Sequence, residues 1–192
     1  MQEYLGISIS PDSMEQLVDH MARGKVPRGH GPYMVFTANL DHIVKLRTDD
    51  RFRDAYLKAD IVTADGMPVY AYARMRGAKI SRIPGSDLFV QLMGNLAPDK
   101  HRCFFVLSNP SLGRAMVAHL ASRGFSRDRL GYIAPRIGFD RDKADCEGLA
   151  RSIAEFRPTH LFVGVGSPKS EIWCHRYAEH IGDPVLDRKS VV

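Results

Sequence analysis

The sequence predicts an α/β fold, a doubly wound, mostly parallel sheet with helices on both faces. Two observations carry that expectation. Short apolar runs alternate with longer amphipathic stretches, and several runs are bounded by Gly, Pro or Asp, as buried parallel strands tend to be. Alternating strands and helices with right-handed crossovers close into a layered, Rossmann-like sheet. The 192 residues are read as one domain, 1–192. At this length roughly 70% of the chain surface leaves water on folding.

The elements follow in order. Tyr4–Ser8 is the first apolar run. Pro11–Arg23 is helical, with Met14, Leu17, Val18 and Met21 on one face. Tyr33–Thr37 is the next strand, and Asn39–Arg47 and Arg51–Lys58 are helices after it. Asp60–Ala64 reads as a strand, Pro68–Met75 and Ser86–Leu96 as helices, and Gly77–Gly85 as a mobile loop between them. Arg102–Ser108, Leu130–Ala134 and Thr159–Gly166 are the remaining strands. Ser111–Arg123, Lys143–Phe156 and Pro168–His180 are the remaining helices. Ser108-Asn109-Pro110 and Ser167-Pro168 place a capping residue or proline at a helix start, and Gly124 and Gly182 fall at helix ends.

Composition narrows the function classes. With 44% hydrophobic and 26% charged residues the chain is not disordered. Lys and Arg number 27 against 22 Asp and Glu, a net +5 that favours an anionic partner. No dense basic run or RNP-like aromatic motif points to nucleic acid. The three cysteines, Cys103, Cys146 and Cys174, form no CxxC pair, which argues against a disulfide framework or zinc knuckle and fits a reducing compartment. Cys103 and Cys174 sit inside apolar patterns and read as core. The N-terminus shows no basic n-region or apolar h-region, so no signal peptide is expected. The longest apolar runs, such as Leu161–Gly166, fall far short of the ~20 residues that cross a bilayer. Any membrane contact is expected at the cytoplasmic surface.

Ligands of such sheets sit at the carboxyl ends of the strands. Asp65 ends the run Ile61-Val62-Thr63-Ala64 and precedes Gly66. It is either a base for a substrate hydroxyl or the turn and cap of the next helix. Thr37 and Asn39 end the second strand, where they either bond a sugar or base or, for Asn39, cap the helix that follows. Asp41-His42 is no acid–base pair, because neighbours on a helix do not face each other. His42 is read as a surface or rim histidine. Gly164-Val165-Gly166-Ser167-Pro168-Lys169 lies between a strand and a helix start, which suits an anion as well as it suits tight packing. It matches neither a Walker loop nor GxGxxG. Arg82 is a loop arginine, either solvated or a bidentate clamp on a diphosphate. The only D-x-D, Asp140-Arg141-Asp142, precedes a helix and reads as a cap, no histidine cluster has metal-ligand spacing, and no GxSxG elbow is present. No metal site and no cofactor are expected.

Four segments carry a resemblance. They are Thr37-Ala38-Asn39-Leu40-Asp41-His42-Ile43-Val44, Ala59-Asp60-Ile61-Val62-Thr63-Ala64-Asp65-Gly66-Met67-Pro68-Val69, Arg82-Ile83-Pro84-Gly85-Ser86-Asp87-Leu88, and Gly164-Val165-Gly166-Ser167-Pro168-Lys169-Ser170-Glu171-Ile172-Trp173. In this order and spacing the chain resembles the WecG/TagA/CpsF glycosyltransferases, glycosyltransferase family 26. The resemblance implies an inverting, metal-independent enzyme. Its donor would be a UDP-sugar: UDP-N-acetylmannosamine, its uronate or UDP-glucose. Its acceptor would be a polyprenyl-diphosphate-linked saccharide of cell-surface polysaccharide synthesis. It implies Asp65 as general base, Thr37, Asn39 and Arg82 as pocket residues, and Gly164, Gly166, Ser167, Lys169 and Ser170 at the nucleotide-sugar site. It implies a peripheral place at the inner face of the cytoplasmic membrane, no nucleic acid, and a possible homo-oligomer. Two departures stand out. Position 170 is Ser where the family usually has Gln, which leaves the donor sugar open. The chain ends at Val192, without the Arg-rich C-terminal appendage the family carries. The alternatives are therefore an inactive nucleotide-sugar-binding remnant or a dinucleotide-binding oxidoreductase, the latter without its GxGxxG.

Overall fold

The computed structural model of the chain describes residues 3–23 and 31–188. The expectations that fall on residues 1–2, 24–30 and 189–192, including the end of the C-terminal tail, lie outside them. The first run is not part of the main sheet. Glu3–Tyr4 (β1) and Ile7–Ser8 (β2) pair antiparallel around Leu5 and Gly6, which both hold positive φ, at 59° and 81°. That geometry is the tight hairpin turn, and beyond it Ser10 N–H donates to the Val62 carbonyl of the parallel layer at 2.8 Å.

Six parallel strands form the main sheet: β3 (Tyr33–Ala38), β4 (Ile61–Ala64), β5 (Cys103–Leu107), β6 (Leu130–Ile133), β7 (His160–Gly164) and β8 (Val185–Arg188). Their order is β4-β3-β8-β7-β5-β6. The helices are α1 (Met14–Ala22), α2 (Leu40–Lys45), α3 (Asp50–Leu57), α4 (Met67–Met75), α5 (Gly85–Asn95), α6 (Pro110–Ser122), α7 (Lys143–Phe156) and α8 (Lys169–Arg176). Their starts follow the capping chemistry of the sequence. Ser13 with Gln16 makes a capping box on α1, and Asn109 and Asp142 cap α6 and α7 with their side chains. Asp142 is thus the cap that the D-x-D segment suggested.

Alternate strand residues face opposite cores. Met34, Phe36, Phe104, Val106, Leu161 and Val163 pack with residues of α2, α3, α4, α7 and α8. Val35, Cys103, Phe105, Leu107 and Phe162 pack with residues of α1, α5 and α6. The sheet is therefore doubly wound, as expected. All three cysteines are buried, and none forms a disulfide among the described residues.

Two expectations need correction. The sequence pattern predicts no strand over Val185–Arg188, yet β8 lies in the middle of the sheet, between β3 and β7. Its four residues carry only two apolar side chains and follow Pro184, too little for a pattern. Backbone pairing on both edges makes the strand. Residues 77–85 are irregular but pinned rather than mobile. Ala78, Ile80 and Ile83 are buried, Ile83 N–H donates to the Ala64 carbonyl at 2.9 Å, and Thr63 Oγ1 donates to the Ile83 carbonyl at 3.2 Å. Among the described residues no helix is long and apolar enough to cross a membrane.

Candidate active site

The predicted residues gather into two groups at the carboxyl end of the sheet. The first lies where β3 and β4 end. Ala38 pairs with Ala64, and Asp65 N–H donates to the Ala38 carbonyl at 3.0 Å, which sets Asp65 beside Asn39. Arg82 forms a parallel bridge with Ala64 and is exposed at the same rim. Half-buried Asp65 accepts the Gly85 N–H on Oδ1 at 3.3 Å. That donor opens α5, so a helix start holds the carboxyl in place. The cap of α4 is Gly66, with no side-chain bond, so Asp65 does not cap the helix after it. Thr37 is 2% exposed, and a Cβ on Gly85 would stand 3.1 Å from its Oγ1. A side chain at that position would crowd Thr37, so glycine suits the close approach of α5 to β3. Asn39 caps α2, accepting the His42 N–H at 3.1 Å.

The second group is the turn from β7 into α8. Gly166 holds φ +90°, a left-handed conformation that suits glycine. Ser170 is fully buried, and its hydroxyl donates to the Gly166 carbonyl at 3.2 Å and accepts the Val165 N–H at 3.3 Å. Ser170 N–H donates to the Gly166 carbonyl at 3.0 Å. The turn thus uses part of its own polar capacity, and the Ser170 hydroxyl shapes the loop. Ser167 Oγ is buried without a hydrogen-bond partner. Lys169 lines a cleft of about 370 Å³ with Arg51, Asp54, Trp173 and Arg176. Val35 and Phe162 both pair with Asp187, so Thr37 and Gly164 each lie two residues beyond a shared level. Two strand spacings separate them by roughly 10 Å.

His42 is not at the surface. It is 2% exposed, a correction to the sequence reading. Its Nδ1 lies 2.9 Å from the Thr37 carbonyl and 3.0 Å from Tyr56 Oη, and Asn39 N–H points at it from 3.4 Å. Its Nε2 lies 4.0 Å from Oε1 of Glu171, which is fully buried. Tyr56, Gly85 and Glu171 were missed by sequence reasoning as well. A glutamate between Ser170 and Ile172-Trp173 on an apolar helix face was the available signal for Glu171.

Two other hollows are present among the described residues. An apolar groove of about 410 Å³ runs between α2 and α4, lined by Leu40, Ile43, Val44, Pro68, Val69 and Tyr72. It begins beside Asn39 and Gly66, the caps of those helices. A cleft of about 830 Å³ opens at the other end of the sheet, lined by His101, His160 and Arg157 among others, and holds none of the predicted site residues.

The model of the WecG/TagA/CpsF glycosyl transferase family matches residues 2–186. The chain belongs to that family. It is 25% identical over 170 residues to an N-acetylglucosaminyldiphosphoundecaprenol N-acetyl-beta-D-mannosaminyltransferase of Bacillus spizizenii, covering 85% of this chain and 62% of that protein. A Staphylococcus aureus protein of the same name is 25% identical over 189 residues, 96% of this chain and 70% of the relative. A Bacillus subtilis one is 23% identical over 166 residues, 86% and 62%. The chain thus spans a little over three fifths of the Bacillus relatives. The WecG/TagA/CpsF match takes in both groups of site residues.

Proposed function

We propose that this chain transfers a hexose from a UDP-sugar to a polyprenyl-diphosphate-linked saccharide, as part of cell-surface polysaccharide synthesis at the inner membrane face. The observation that carries the reading is Asp65. It is a carboxylate at the tip of β4, fixed by the Gly85 N–H, beside Asn39 and inside the family match. Asp65 takes the proton of an acceptor hydroxyl as its oxygen attacks the anomeric carbon. The bond from that carbon to the diphosphate breaks, UDP leaves with the electron pair, and the configuration inverts. Arg82 and Lys169 stand where growing negative charge needs offsetting, and they do so without a divalent ion. Thr37 keeps α5 and Asp65 in register.

The relatives' names supply the acceptor class, and the groove between α2 and α4 supports it. Leu40 and Val44 expose more than half of their surfaces there, and Leu40 and Pro68 stand in the first turns of α2 and α4. A polyprenyl tail has the matching chemistry. N-acetylmannosamine is the first donor sugar to test, with its uronate and glucose beside it, because Ser170 is spent on the turn.

The test is transfer from a panel of UDP-sugars to a short-tailed diphospho-N-acetylglucosamine acceptor, with EDTA present. Asp65→Asn is expected to keep its fold and its UDP affinity and to lose transfer by ~10²–10⁴-fold. Turnover equal to the parent would remove Asp65 from the role.

A further inference from the structure

The two groups of site residues belong to strands that are not neighbours, yet a buried polar chain joins them. Four parts contribute: the end of β3, α2, α3 and α8. The Thr37 carbonyl receives Tyr56 Oη at 3.0 Å and faces His42 Nδ1 at 2.9 Å. Nε2 of the same ring faces Glu171 on α8 across 4.0 Å. The surroundings are apolar: the His42 ring meets Phe52 edge-on at 5.8 Å, and Phe36 and Phe52 are fully buried.

The chemistry fixes which way the ring works. A carboxylate opposite Nε2 among buried apolar side chains favours a proton on Nε2. Tyr56 spends its one hydroxyl proton on the Thr37 carbonyl, so Nδ1 either accepts the Asn39 N–H or, with the ring cationic, donates to that same carbonyl. Both arrangements tie Glu171 to the backbone of Thr37 or Asn39. Glu171 in turn lies in the first turn of α8, next to Ser170 and two residues from Lys169. The His42–Glu171 contact therefore couples the charged end of the site to its acid end from one face of the sheet.

We propose that His42 and Glu171 are positioning residues that set the distance between Asp65 and the β7–α8 turn. The inference rests on the transferase reading for its activity readout. Neither residue touches substrate. A misplacement of about 1 Å costs on the order of 10²-fold in rate even when binding contacts survive.

The experiment compares His42→Gln, Glu171→Gln, Tyr56→Phe and the His42→Gln/Glu171→Gln pair with the parent chain. The expected result is a kcat lower by ~10–100-fold in each His42 or Glu171 variant, with donor KM changed less than about threefold. The pair should fall no further than its worse single, since both break one linkage. Folding is checked by circular dichroism and melting, and Tyr56→Phe serves if the other variants do not fold. Its kcat falls while its melting temperature drops by only a few degrees, about what one buried hydrogen bond is worth. An unchanged kcat in folded protein overturns the proposal, and so do losses that multiply in the pair. Amide exchange gives a readout independent of activity. Glu171→Gln should speed exchange at Asn39, on the far side of the linkage, and an unaltered Asn39 also overturns the proposal. A parent chain that transfers from no UDP-sugar refutes the transferase reading instead, and the Asn39 exchange then decides the linkage alone.

Discussion

Acid should weaken this fold through His160, the first residue of β7. The ring is 2% exposed, stacks near Phe162 and meets His101 edge-on at 4.9 Å. Its Nε2–H donates to the Met21 carbonyl at 3.1 Å, and its Nδ1 faces Thr159 Oγ1 at 3.0 Å. Burial, with the neighbouring His101 second, pushes the imidazole down from 6.5 to about 4. The folded chain therefore keeps His160 neutral where the unfolded chain has already bound a proton. Between pH 6.5 and 4 the unfolded state holds more protons, so stability declines as pH drops through that window. Below about pH 4 this group adds no further loss. Each pH unit is worth about 1.4 kcal/mol, so the group costs about 2 kcal/mol from pH 7 to pH 5 and about 3 kcal/mol in full. Urea unfolding of the parent and His160→Gln at half-unit steps from pH 7 to pH 5 isolates the effect. The free-energy gap between the two should shift by about 2 kcal/mol in favour of the variant on acidification. A gap that stays constant across the range would refute the reasoning, because it would mean the ring titrates alike in both states.

Other consequences are more local. Ser170→Ala removes the hydroxyl that holds the Val165 N–H and the Gly166 carbonyl, and should cost about 1–2 kcal/mol in thermal or urea unfolding with donor KM little changed. A large KM rise with unaltered stability would put Ser170 on the sugar instead. Gly113→Ala places a methyl against the Tyr132 ring and should destabilise by about 1–3 kcal/mol in a melting curve; a neutral substitution would show that α6 shifts freely on β6. Burial raises the Cys103 thiol to about 12, so it should resist a thiol reagent at pH 8 in the folded chain and react once urea unfolds it.

Where one physical rule dominates locally, the sequence is readable. The fully buried strands β5 and β7 are continuous apolar runs, and Asn109-Pro110 announces its helix by capping chemistry alone. Asp65 was legible as a strand-end acid because the run before it is so regular. Its partner was not, since the Gly85 N–H arrives from 20 residues away. His42 shows the limit from the other side. The same residue completes the capping box of α2 and lies beneath two other helices, and only the capping part is local. Strand β8 is the extreme case, because its neighbours Tyr33 and His160 lie 152 and 25 residues before Val185 in the chain and its own side chains add little pattern.

That late central strand has a consequence for how the site is assembled. The acid end is carried by β3 and β4, and the charged turn by β7 and α8. Until Val185 and Leu186 pair on both edges, these two halves share no sheet hydrogen bond. The packing of α3 against α8 and the His42–Glu171 contact span the same division from one face. The geometry that places Asp65 and the β7–α8 turn at one end of the same sheet is thus a product of long-range closure. Loop-closure entropy is regained only when β8 docks. A substitution that weakens β8, such as Leu186→Ala at a fully buried position, should cost about 2–5 kcal/mol in urea unfolding. It should also lower kcat in the molecules that remain folded, because it loosens the one strand common to both halves. Lost stability with intact kcat per folded molecule would mean that helix packing and the buried linkage alone set the site.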